Sequence, residues 1–432
     1  MTSLPLTKTN NSFERFVQEL PPNYRESAVE FKAFARSRKI KCPAQLLQVV
    51  MQYCGIDLVL RETAGNFTLL EERISDTGLH NRLKACVPWV KAMLKEMMGA
   101  SVGPLIEGSL RFIVVDGSTV EGPGAKQTWY RLHIAVDLVR LHLIHVEVTD
   151  KHQGENLSYY PLQAGDVVIV DRGYNHPLHL IELVDKNANV VLRYNPHGMN
   201  VYDTRMKKID MYKHIKNATA NNLYIPVRVR KDEKYIEGYV HAIRLPPEQA
   251  GQARHRLRTQ ARKKGRNAPR ESTLMLAGWV LIFSTIPPDV LSTDTIAALY
   301  RVRWQVELVI KRMKSLLDID KLRAREGSLL SELYLHGKLL YVWVLEKWAR
   351  QRCGENWNRL DQPRRATPWR IWKTLRQELS VAINGVLHWD ISRWQDCLDV
   401  LQERPRRRKL QTLPDRVSRI DNLYSTNGFS KI

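Results

Sequence analysis

Two five-residue runs, "FIVVD" at 112–116 and "VVIVD" at 167–171, limit what this chain can fold into. Each is an unbroken apolar run ending on a carboxylate, and a glycine follows each within two residues. Short β-branched runs bounded by turn residues read as buried strands. A carboxylate at the C-terminal end of such a strand is held rigidly at the sheet edge, where ligands of α/β sheets sit. One Asp in that setting need only open a turn; two in the same setting point to a site. Brought together, Asp116 and Asp171 would repel, so a cation is expected between them. Mg²⁺ takes one or two carboxylates and fills its shell with water and substrate phosphate.

The flanking patterns extend these strands into an α/β chain. "WYRLHIAVDL" and "LHLIHVEVTD" alternate about the short turn "DLVR", which with "LRFIVVDGS" predicts an antiparallel meander. After the second Asp run, "PLHLIELVDKN" predicts a short helix and "NVVLRYN" another strand. This succession suits a ribonuclease-H-like fold. Upstream, residues 12 to about 98 carry apolar residues at three- and four-residue spacing, so this part is expected to be helical. Within it "ISDTGLHNRLKA" fits a helix-turn-helix, with Gly78 at or near the turn and His80, Asn81, Arg82 and Lys84 on the following face. Downstream, "NNLYIPVRVR" and "YIEGYVHAIRLP" alternate as a hairpin would. Residues 248–272 then gather Arg254, Arg256, Arg258, Arg262, Lys263, Lys264, Arg266 and Arg270 against only Glu248 and Glu271, and read as an arm or loop for phosphate. "LAGWVLIFSTIP" resumes a buried strand, and "STDTIAALYRVRW" opens a long helix with Ser292 or Thr293 as its cap. Beyond 328 the chain reads as helical and rich in Trp and Leu, ending in "ERPRRRKLQ" and a polar tail.

Charge narrows the partners. Lys and Arg total 67 against 45 Asp and Glu, a net +22, which suggests a polyanion, most often nucleic acid. The five cysteines, Cys42, Cys54, Cys86, Cys353 and Cys397, form no C-x-x-C pair, so neither a zinc ribbon nor a disulfide framework is expected. His142 and His145 would point to opposite faces of a strand and read as structural rather than as a metal pair. No early apolar run resembles a signal peptide and none approaches a membrane span, so a cytoplasmic protein is expected.

The stretch "LYRVRWQVELVIKRMK", 299–314, sets one carboxylate among five cations. At about 100° per residue, Tyr300, Arg303, Glu307 and Lys314 fall within about 60° of one another and Lys311 joins them, while Arg301 and Arg312 turn elsewhere. A Glu307–Lys311 pair at i,i+4 accounts for one contact and not for the stripe. The stripe is therefore expected to face a substrate, with Glu307 as a third metal oxygen and the cations on phosphates.

These residues resemble the DDE transposases of bacterial insertion sequences, in particular the "IS-four" family with its YREK signature. The spacing Y-x2-R-x3-E-x6-K is met by Tyr300, Arg303, Glu307 and Lys314. "VVDGS", "VDRGY" and the intervening "HVEVTDKHQGE" also look like that family, and the likeness covers about 106–325 well. The resemblance implies a catalytic triad of Asp116, Asp171 and Glu307 holding two Mg²⁺ ions, with Mn²⁺ able to substitute. It implies a ribonuclease-H-like core (106–194 and 276–327) interrupted by a mainly β insertion (195–275). A helical N-terminal DNA-binding domain (1–105) and a helical C-terminal domain (328–432) would flank it. Trp279 stands 21 residues before Tyr300, the place of a Trp that stacks on a flipped base in that family.

The expected activity is metal-dependent cutting and joining of transposon ends, by cut-and-paste through a hairpin. Double-stranded DNA, as terminal inverted repeat and target, would be the partner of a homodimer in a bacterial, nucleoid-associated setting. Expected DNA contacts are Tyr300, Arg303, Lys311, Lys314, Trp279, Arg254, Arg258, Arg262, Lys263, Lys264 and Arg82, with the helices after 328 as the dimer interface. A ribonuclease-H-like nuclease that never joins, and a domesticated DNA-binding protein, are the competing readings.

Overall fold

The strands form where the apolar runs predict them. The structure, a computed structural model, describes residues 13–101, 109–122, 124, 127–354, 357–358 and 366–384. β1 (Arg111–Glu121), β2 (Thr128–Asp137) and β3 (Leu143–Asp150) make the antiparallel meander. β4 (Asp166–Val170) returns parallel to β1, and β5 (Asn189–Arg193) lies parallel to β4. β6 (Asn222–Lys231) and β7 (Lys234–Arg244) form a hairpin, and β8 (Trp279–Ser284) follows. All eight join one mixed sheet in the order β3-β2-β1-β4-β5-β8-β7-β6. Phe112, Val114, Val167 and Ile169 feed the core on one face; Ile113, Val115, Val168 and Val170 feed the other. Strands buried on both faces are continuous apolar runs for that reason.

Several expectations change in detail. Asp116 does not end its strand: β1 runs on to Glu121, with Asp116 paired to Ile134. What ends near Asp116 is the parallel pairing to β4, whose last pair is Val114 with Ile169. The hairpin expected inside a separate insertion is hydrogen-bonded to β8, from Tyr239 with Ser284 to Arg244 with Trp279, and so extends the core's own sheet.

The basic segment is a helix rather than an irregular arm. Residues Pro247–Lys263 are helical, and a second short helix spans Glu271–Leu276. Proline at the first helical position and a run of Ala, Gln and Arg favour that outcome.

The helices expected at 12–98 are present. They include α1 (Tyr24–Glu30), α2 (Pro43–Cys54), α3 (Leu60–Leu70), α4 (Asp76–Ala85) and α5 (Val87–Ser101). Gly78 lies in the first turn of α4, not at the turn before it, and its N–H is capped by the Ser75 hydroxyl. α6 (Pro177–Val184) and α7 (Met211–Ile215) follow, then the basic pair α8 (Pro247–Lys263) and α9 (Glu271–Leu276). The long helix expected from 293 is two helices, α10 (Thr293–Val302) and α11 (Gln305–Leu317), with Arg303 and Trp304 in the break.

α12 (Leu329–Cys353) and α13 (Pro368–Asn384) complete the described chain. α12 packs against α2, α4, α5 and α13, and Trp343, Trp348 and Leu339 are buried there. The leucines and tryptophans of α12, expected at a dimer interface, are thus buried inside the chain. Cys397 and "ERPRRRKLQ" lie outside the described residues. Of the His pair, His142 is buried just ahead of β3 and His145 is half-buried on it. Among the described residues no helix is long and apolar enough to cross a membrane.

Candidate active site

Strand register brings the predicted aspartates together. Asp116 and Asp171 each stand two residues beyond the last β1–β4 pair, Val114 with Ile169. The β4–β5 pairing ends at Val170 with Leu192, so Arg193 is next to Asp171. Because side chains alternate along a strand, all three share the face of Phe112, Val114, Ile169 and Val191. Neighbouring strands lie about 4.8 Å apart, so Asp116, Asp171 and Arg193 form one close row. Backbone N–H groups fix the acids: Asp116 Oδ1 accepts from Gly117 N (2.8 Å) within β1, and Asp171 Oδ1 accepts from Gly173 N (2.8 Å) in the turn after β4.

The break between α10 and α11 lies over this row. Arg303 Nη2 donates to Glu307 Oε1 at 2.7 Å, and Nη1 reaches Asp116 Oδ2 at 3.5 Å. The Tyr300 ring has the Arg303 guanidinium at 5.9 Å and that of Arg193 at 6.0 Å, both within cation–π range. Burial pushes the Asp116 carboxyl up; Arg303 and the Gly117 N–H oppose this, and Asp171 and Glu307 add to it. Burial and Arg172 push Arg193 down to about 10. Burial also acts to lower Arg303, but Tyr300, Asp116 and Glu307 outweigh it and hold the guanidinium charged.

Three carboxylates are the hard oxygen donors that Mg²⁺ takes. As they stand, no three acidic, His or Cys groups among the described residues close on one point, and Arg303 stands between Asp116 and Glu307. A guanidinium bridging two of the three acids marks the spot as one that favours positive charge. The donor set, three hard carboxylates with a cation already held between two of them, therefore fits a divalent cation.

The stripe read from helical angle divides. Tyr300, Arg303 and Glu307 come together, but Lys314 Nζ lies 4.0 Å from Asp320 Oδ2 and Lys311 is exposed without an ion pair among the described residues. Arg312 turns inward over Trp372, as expected. Trp279 is the first residue of β8, only 6% exposed, with the Arg244 guanidinium 4.6 Å over its ring. It lines a cleft of about 920 Å³ with Arg172, Arg193 and Arg256, so the cleft runs from the row of Asp116, Asp171 and Arg193 to α8. Arg258, Arg262, Lys263 and Lys264 are exposed on and beside α8, while Arg254 Nε donates to the Leu274 carbonyl at 3.2 Å. Among the N-terminal helices, Arg82 donates to the Arg36 carbonyl and lines a 560 Å³ basic cleft with Lys32, Arg38, Lys39 and Arg73.

Two residues here escaped the sequence reading. Arg193 ends "VVLR", the same apolar-run-then-charge pattern as the two Asp runs, and that pattern could have found it. Glu155 ends "HVEVTDKHQGE", a segment noted above for its family likeness alone. Its carboxylate lies against Gly173 and 3.6 Å from where a Gly117 Cβ would stand. Burial, then Asp171 and Asp116, push it up.

Residues 107–343, more than half of the chain, match the family described as transposase DDE domain. The chain is 29% identical to the InsL protein of insertion sequence element IS186A from Escherichia coli strain K12, over 76% of this chain and 90% of that one. It is likewise 29% identical to the transposase for insertion sequence element IS421 from Escherichia coli, at the same coverage. Identity is 25% to the transposase for IS231F from Bacillus thuringiensis subsp. israelensis, over 42% of this chain and 41% of that one. Matched over more than half of its length, the chain belongs to the DDE transposases, enzymes that cleave and transfer DNA.

Proposed function

We propose that this transposase cuts and rejoins insertion-sequence ends with Asp116, Asp171 and Glu307 as its triad, by cut-and-paste through a hairpin. The observation that carries the reading is the strand register, which sets Asp116 and Asp171 side by side beneath Arg303 and Glu307. The order β3-β2-β1-β4-β5, antiparallel through β1 and then parallel, supports a ribonuclease-H-like core. The Tyr300, Arg303, Glu307 and Lys314 spacing supports the "IS-four" grouping. Two Mg²⁺ ions, when bound, would neutralise charge at the scissile phosphate and activate the attacking oxygen.

The chain's own groups do the positioning. Asp116 and Asp171, tied to backbone N–H groups, present fixed oxygens. Arg303, released from Glu307, and Arg193 beside it grip phosphate across the Tyr300 ring, and a guanidinium can do so with two parallel N–H donors. The cleft past Arg172 and Arg193 leads a strand toward Trp279, whose ring accepts a base once Arg244 yields it. Stacking of this kind is worth about 1–3 kcal/mol per base. Exposed cations of α8 track the duplex, and the basic N-terminal cleft around Arg82 holds the terminal repeat. Two ends need two catalytic sites, hence a homodimer.

Asp171→Asn decides the assignment. Gel shift on end DNA in EDTA should match wild type, while nicking in Mg²⁺ should fall below detection. Cleavage at the wild-type rate would remove Asp171 from the triad. Pre-cleaved ends offered to the wild-type protein should be joined to target DNA; cleavage without joining would favour a nuclease.

A further inference from the structure

Glu155 stands outside the proposed triad, yet it is placed as if it belonged to the site. β2 is antiparallel to both β1 and β3, so β3 runs parallel to β1 and releases the chain at the edge that carries Asp116 and Asp171. The loop after Asp150 brings Glu155 over that edge, on the side of Gly117, opposite the face covered by α11. A Cβ on Gly173 would run into the Glu155 carboxylate, and one on Gly117 would touch it at 3.6 Å. Neither glycine has positive φ, so backbone conformation does not require glycine at either place. Gly173, two residues after Asp171, is thus explained by room for a third carboxylate, and Gly117 lies in van der Waals range of the same group.

That carboxylate takes no hydrogen bond or ion pair from the described residues. Asp171 and Asp116 repel it, and Arg131 acts in the opposite sense. A half-buried charge without a partner is costly, and glutamine would relieve the repulsion at the same size. We propose that Glu155 is a fourth carboxylate of the divalent-cation site, reaching Asp116 and Asp171 from the face opposite Glu307. The proposal rests on the reading that Asp116 and Asp171 hold the cation.

The test is Mn²⁺ binding to the full chain without DNA, read by electron paramagnetic resonance of free Mn²⁺, for wild type, Glu155→Gln, Gly173→Ala and Asp171→Asn. Glu155→Gln should weaken Mn²⁺ binding about tenfold or more, with an unchanged circular dichroism spectrum. Its melting temperature in EDTA should equal or exceed that of wild type, because one of three clustered charges is gone. Gly173→Ala, whose backbone tolerates alanine, should reproduce the loss by displacing the carboxylate. Wild-type Mn²⁺ affinity in Glu155→Gln, with loss in Asp171→Asn, would overturn the proposal and leave the triad intact. Wild-type affinity in both would overturn the cation assignment itself. A lower melting temperature of Glu155→Gln in EDTA would mark Glu155 as structural and also overturn it.

Discussion

Arg303 occupies the position of most consequence among single residues, because its guanidinium neutralises Asp116 and Glu307 at once. Removing it leaves two acids facing each other with no shared cation. Arg303→Ala should therefore lower the melting temperature in EDTA, by the equivalent of about 1 kcal/mol for a pair with one exposed partner. Added Mn²⁺ should restore most of the loss, since the ion takes the place of the guanidinium. Arg303→Lys should recover only part of it, as a point charge cannot span both carboxylates as a planar fork does. Differential scanning fluorimetry with and without Mn²⁺ checks both. An Arg303→Ala protein that melts as wild type does in EDTA would show that the bridge contributes nothing. At this scale Asp116, Asp171 and Glu307 were legible because pattern and spacing are local properties. Arg193 carries the same local pattern, but its place beside Asp171 depends on which residues of separate strands end level, and that of Glu155 on the path of the loop after β3.

The break between α10 and α11 is the element that divides the stripe. Arg303 N bonds Tyr300 O and Val306 N bonds Arg303 O, both three residues apart. Such 3₁₀-type turns advance about 120° per residue instead of about 100°, so the residues after them rotate out of the stripe. Tyr300, Arg303 and Glu307 sit at the break and stay together; Lys314 lies beyond it and turns to Asp320. α8 is a second element of consequence. Its composition identified charge but not conformation, and as a helix it offers Arg258, Arg262 and Lys263 as an exposed surface. Changing these three to Ala keeps a helix-favouring sequence. Each cation withdrawn from a DNA phosphate should reduce the slope of log affinity against log salt by about 0.9. Fluorescence anisotropy on duplex DNA across a NaCl series measures it, and an unchanged slope would take α8 off the DNA path.

Across the whole molecule, the C-terminal helix α12 ties the N-terminal helices to the core. Lys338, 1% exposed, donates to Asp57 Oδ2 at 2.5 Å and to the Leu317 carbonyl, and Tyr334 OH donates to Asp57 Oδ1 at 2.5 Å. Lys338→Ala would leave Asp57 short of its cation, a loss of about 3–5 kcal/mol, readable in urea unfolding. One glutamate sets a pH dependence. Burial pushes the Glu346 carboxyl up to about 7, against the pull of Arg312 and Arg350. Its folded value exceeds the unfolded one near 4.5, so between those pH values the folded state holds the extra proton. Stability should then fall as pH rises through that window and level off above it. Glu346→Gln should match wild type near pH 4.5 and exceed it by about 1.4 kcal/mol per unit of the window at pH 8. Equal unfolding curves at pH 8 would show that this carboxyl is already relieved.

The sequence by itself determined the strands, the terminal helices and the acidic residues of the candidate site. Burial on both faces demands continuous apolar runs, and acids that end such runs carry their own signature. The tertiary structure alone decided how these parts meet. The hairpin at 222–244 adds to the core sheet because β8 pairs with β7 as well as β5. The leucines and tryptophans of α12 close an internal core because three N-terminal helices reach them first. Arg193 joins Asp116 and Asp171 because hydrogen-bond register, which no single segment contains, sets which residues share one edge, and the loop after β3 carries Glu155 to that edge.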